Sequence, residues 1–185
     1  MDSEDPVYTL TLEAYADTIV PGEKRSPDDR AIAGVVEGPG SVQAGALELM
    51  HHSAPGIAVG LPTLVAMLNQ HATNYAEEHG IALDDTVPPF VALDYDHRYA
   101  LVGRLTALGH PEQAGWVMLA LFSNMAFDSA PHKSTLDALE EGHPGLITLG
   151  FKKPDTDGIW RFKEYGYHQE LAKTHPDTTE SGSPA

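Results

Sequence analysis

Cysteine is absent from this chain, which excludes disulfides, thiolate metal sites and cysteine nucleophiles. Basic charge is scarce: 11 Lys and Arg face 27 Asp and Glu, a formal net charge of −16. Such a surface repels phosphate backbones and anionic lipid, so neither nucleic acid nor a membrane surface is an expected partner. Long apolar runs are missing as well. The longest, "WVMLALFSNMAF", falls short of the roughly 20 apolar residues that span a bilayer. The acidic opening "MDSEDPVYTL" has neither a basic nor an apolar leader region, so no signal peptide is expected and the cytoplasm is the expected compartment.

Several chemical signatures are also lacking. There is no Gly-x-Gly-x-x-Gly run, no P-loop, no Gly-x-Ser-x-Gly elbow and no His-Glu-x-x-His helix. A chain without a phosphate-cradling loop is not expected to carry its own dinucleotide, and no metal site is expected.

What is present reads as helix. A first helix covers "YTLTLEAYADTIV" and stops at Pro21–Gly22, followed by a loop rich in Pro, Gly and charge. "SVQAGALELMHH" is a short helix with Ser41 as its candidate cap. In "LPTLVAMLNQHATNYAEEHG", Leu61, Leu64, Val65, Leu68, Ala72 and Tyr75 form one apolar stripe, with Pro62 in the first turn and Gly80 as the stop. "DDTVPPFVAL" is a non-helical link. Asp94 caps the next helix, which carries Val102, Leu105 and Leu108 on one side. "PEQAGWVMLALFSNMAFDSA" is apolar nearly all round, the pattern of a central, buried helix. "STLDALEEG" adds a brief helix, while "HPGLITLGF" and "DGIWRF" read as loop or short extended pieces. The expectation is an all-α, single-domain irregular bundle over residues 1–172, with an extended C-terminal arm and a mobile tail over 173–185.

Asn124, Asp128 and His132 lie four apart along the most apolar helix. A buried amide or carboxylate must find hydrogen bonds, at a cost of about 1–3 kcal/mol if it does not. The three residues read as polar pins that hold loop backbone, as a partner-binding surface, or as an acid–base set. Glu48 and His51 have the spacing of half a carboxylate-bridged di-iron site, but the second Glu-x-x-His is missing. His71 and His79 read as exposed histidines at a helix edge, and Asp94 and Asp96 as first-turn acids.

The run Ala16-Asp17-Thr18-Ile19-Val20-Pro21-Gly22, within "EAYADTIVPGEKRSPDD", resembles the opening of the gluconate 2-dehydrogenase subunit 3 family. The later order of helices is similar in outline through about residue 150. The resemblance implies a cytoplasmic branch of actinobacterial type whose members accompany a large FAD-dependent oxidoreductase of the glucose–methanol–choline family, some in aromatic polyketide pathways. Such subunits assist folding or stability and do no redox chemistry, so FAD is expected in the partner and no cofactor on this chain.

The leading expectation is therefore a non-catalytic accessory subunit. Its interface is expected at Trp160, Phe162, Tyr165 and Tyr167, the aromatic residues of "GIWRFKEYGY". The rival is a stand-alone, cofactor-free cyclase or oxygenase acting on a polyketide through Asp128, His132 and Asn124.

Overall fold

A computed structural model describes residues 5–54 and 56–156. The fold is all-α, with no strand among the described residues. Among the described residues eight α-helices follow in order: α1 (Pro6–Ile19), α2 (Ala46–His51), α3 (Leu61–His79), α4 (Pro89–Ala92), α5 (Tyr95–Thr106), α6 (Gln113–Asp128), α7 (Thr135–Glu140) and α8 (Pro144–Thr148). The chain divides into two compact units, Met1–Phe151 and Lys152–Ala185. Every described helix belongs to the first. No described helix is long and apolar enough to cross a membrane.

The central helix is α1 and not, as its composition suggests, α6. Every residue from Thr11 to Thr18 is buried, polar ones included. Two features permit this. Ala14 and Ala16 let neighbours approach closely, and the hydroxyls of Thr11 and Thr18 donate to the carbonyls of Val7 and Ala14 one turn back, both at 2.7 Å. The Asp5 side chain caps the helix by accepting from Val7 N, ahead of Pro6 in the first turn.

Helix α6 packs on α1, α2, α5 and α8, yet only Trp116, Leu119, Ser123 and Ala126 are buried along it. Leu121 is 55% exposed. One flank of this apolar helix therefore has no neighbouring helix of the first unit against it. Tyr15 OH, in α1, donates to Trp116 O at 2.6 Å and ties the two helices together.

Other departures from the sequence expectation have local causes. Ser41 caps nothing: it is buried and its Oγ donates to Ala16 O, while α2 begins five residues later. Pro89 opens the one-turn α4 inside the expected link, because its missing N–H costs nothing in a first turn. Asn69 of α3 holds this turn, its Oδ1 accepting from Phe90 N and its Nδ2 donating to Thr11 Oγ1. The expected loop after Gly142 contains α8, where His143 Nδ1 accepts from Leu146 N and Pro144 occupies the first turn. Leu108 lies beyond the end of α5 and is 96% exposed.

Candidate functional site

The resemblance run has a structural role that its residues explain. Asp17 is fully buried, and its two carboxylate oxygens accept from Gly22 N at 3.0 Å and Ala33 N at 2.9 Å. Burial raises its pKa, opposed by those two amides and by the Arg98 charge. Asp17 thus draws the start and the middle of the loop after α1 back onto the helix. Further along the loop, Arg25 forks onto Glu13, with bonds of 2.6 and 2.7 Å, and reaches Asp29 at 2.7 Å through Nε. Asp29 in turn accepts from Ala31 N and Ile32 N. Arg98 of α5, also buried, donates to the carbonyls of Ala31 and Val91, both at 2.6 Å, and to those of Leu93 and Arg30. Burial lowers its pKa, countered by Asp17 and Asp94. These are the polar pins of the fold.

With that loop fixed, the exposed flank of α6 borders an open groove of about 440 Å³ between the end of α1, α5 and α6. Thr18 and Ile19 supply the α1 wall, Tyr99 and Val102 the α5 wall, and Val117 and Leu121 the α6 wall. Among the described residues, no Asp, Glu, Lys, Arg or His lines it. Tyr99 is 65% exposed, so an aromatic face stands at the rim. Composition did not reveal this groove, although the apolar excess of α6 was its signal.

The Asn124, Asp128 and His132 series does not converge. Asn124 lines the groove and donates to Asp128 Oδ2 at 2.8 Å, on the exposed side of α6. Asp128 Oδ1 accepts from Ser129 Oγ. Neither residue pins loop backbone. His132 follows the end of α6 and lines a separate small pocket of about 150 Å³ with Glu48, Lys133, Glu141 and His143. Its imidazole is 1% exposed, and Nε2 stands 3.6 Å from Glu48 Oε2. Neither ring nitrogen has a hydrogen-bond partner among the described residues. Burial lowers its pKa, with Glu48 the opposing charge.

His51, His71 and His79 each have partners among the described residues. Tyr8 OH lies 2.8 Å from His51 Nε2 and Leu47 O lies 2.7 Å from Nδ1, which occupies both ring nitrogens. His71 pairs with Glu112 Oε2 at 2.7 Å, the first cause of a lowered Glu112 pKa, and is half-buried rather than exposed. His79 stacks on Tyr75 with ring centroids 4.1 Å apart. Asp94 caps α5, accepting from His97 N. Among the described residues, no group of three or more His, Asp or Glu side chains is placed to hold a metal ion. Trp160, Phe162, Tyr165 and Tyr167, the expected interface aromatics, lie outside the described residues, as does the tail over 173–185.

Comparison with known proteins returns one finding. No curated protein and no solved structure matches the chain. Residues 6–185 match the profile of a family of unknown function, DUF5987, and the chain belongs to that family.

Proposed function

We infer that this chain is a non-catalytic accessory subunit that docks on and stabilises a FAD-dependent oxidoreductase of the glucose–methanol–choline type. The observation that carries this reading is the groove between α1, α5 and α6, which is open, apolar and free of ionisable side chains other than Tyr99. An apolar surface with an aromatic rim receives the buried anchors of a protein partner. It offers no acid or base positioned to move a proton. Thr18 and Ile19 of the resemblance run form one of its walls, so two of the seven residues that suggest the family would also meet the partner. FAD belongs to the partner in this reading, and aromatic polyketide assembly in the cytoplasm is the setting it favours.

The rival reading, a cofactor-free cyclase or oxygenase, needs Asn124, Asp128 and His132 around one reaction volume. Asn124 and His132 line different depressions, and Asp128 lines neither.

Co-expression with a flavoprotein of the glucose–methanol–choline type tests the proposal. The pair is expected to co-purify, and Leu121→Asp is expected to abolish this while Leu108→Asp does not. A flavoprotein that folds, loads flavin and turns over fully without the chain would overturn the reading.

A further inference from the structure

We propose that the 129–133 turn and the α7–α8 hairpin that follows form a proton-gated flap, with His132 as the gate. The hairpin has a small core of its own, where Ala130, Ala138, Leu139 and Leu146 cluster apart from the main core. Its hold on the α2 side is narrow. His143 Nε2 donates to Ala44 O at 2.9 Å, and His132 sits against Glu48. Gly145 of α8 lies so close to α6 that a Cβ there would meet Phe127 O at 2.0 Å.

The turn is costly to keep closed. Ala130 is the one non-glycine with positive φ among the described residues, at 44°, a left-handed conformation that disfavours a side chain. Two residues on, the His132 imidazole is buried with both nitrogens unpartnered. At 3.6 Å, Glu48 Oε2 is beyond hydrogen-bond reach of Nε2. Gly45, at φ 86°, stands opposite, and a Cβ there would meet His132 Nε2 at 3.2 Å.

The charges that face the ring are few. Glu48 of α2 attracts an imidazolium, while Lys133 on the same turn, His143 before α8 and His52 after α2 oppose it. Glu141, just after α7, is engaged by Lys133 at 2.7 Å. A proton taken from solvent onto the ring leaves two N–H donors in a seam that has no acceptor within hydrogen-bond distance. Opening the turn hydrates them. The open form binds that proton near the ordinary histidine value of about 6.5 and the closed form resists it, so opening is favoured as pH falls below that value. Above about pH 7 the flap stays shut.

The test is amide hydrogen exchange on the full chain between pH 7.5 and 5.0, corrected for intrinsic rates, with a ring titration of His132 by NMR. Protection over residues 129–148 is expected to fall several-fold on acidification while α3 is unchanged, and the fall is expected to vanish in His132→Leu. Glu48→Gln, at an exposed carboxylate, keeps the test open if His132→Leu does not fold. It removes the one attractive charge and should steepen the fall. Flat protection in the native chain, a fall that persists in His132→Leu, a shallower one in Glu48→Gln, or a ring that titrates at or above about pH 6.5 would each overturn the proposal.

Discussion

Gly22 and Gly40 pack backbone against backbone. A Cβ on Gly22 would meet Gly40 N at 2.5 Å, and one on Gly40 would meet Gly22 N at 2.6 Å. Neither glycine has a left-handed φ, so what is required is the missing side chain and not conformational freedom. Both contacts involve backbone amides that are already engaged, Gly22 N by Asp17 Oδ1 and Gly40 N by Gln43 Oε1. Gly22→Ala should therefore cost about 2–3 kcal/mol, the upper part of the range for overpacking. Urea unfolding monitored by Trp116 and Trp160 fluorescence measures it, and a loss below half a unit would mean the loop has room to move.

The Glu13–Arg25–Asp29 cluster sets an acid dependence. Burial pushes the Asp29 carboxyl up, but Arg25 and the amides of Ile32 and Arg25 outweigh it and hold its pKa below the ordinary range. The native state thus binds this proton less readily than the unfolded chain. Its stabilisation is present above about pH 4 and lost as pH falls through the depressed value. The Asp17 carboxyl, raised by burial, works in the opposite sense. Arg25→Met is expected to cost about 1–2 kcal/mol at pH 6, less than a fully buried pair, because the arginine side chain is 44% exposed. The variant should also show a shallower loss of stability between pH 5 and 3 in urea titrations.

Arg98 is a sharper case. Its guanidinium serves four carbonyls in a buried site, and Lys presents fewer donors without the planar fork. Arg98→Lys should lose about 2 kcal/mol and Arg98→Met more, since the latter leaves buried carbonyls without their donor. Thermal unfolding ranks the two. Equal stability of Arg98→Lys and the native chain would show that the fork geometry is dispensable.

Asn124→Ala and Asp128→Ala should each change stability by no more than about 0.5 kcal/mol, as expected at solvent-facing positions. The pair bonds to itself and to Ser129 and holds no loop in place. A loss several times larger in calorimetry would return these residues to a structural role.

Gly145→Ala would drive a methyl into the Phe127 carbonyl. Helix α8 would have to lift from α6, with a loss of about 3 kcal/mol or a hairpin that no longer docks. Exchange protection confined to α7 and α8 reports which.

The helices legible in the sequence are those whose causes are local. The α3 stripe, the Gly80 stop and the Asp94 cap each depend on residues within a turn or two, and all stand where expected. The one-turn helices α4 and α8 were not legible. Distant groups help to set them: Asn69 holds Phe90 N, and His143 bridges from Leu146 to Ala44. The same holds for the polar residues. Asp17 stood out only within a run of familiar type, and the opening helix carries few cues to its full burial.

By itself, then, the sequence determined an all-α chain, its principal helices, the Asp94 cap, the Gly80 stop and a strongly acidic composition. Periodicity, capping and charge are properties of neighbours along the chain. Tertiary structure alone decided that Asp17, Arg98 and the His132 ring are enclosed while Asn124 is exposed and Asp128 half-buried. Burial depends on what packs across from far away in sequence, and no local pattern encodes that.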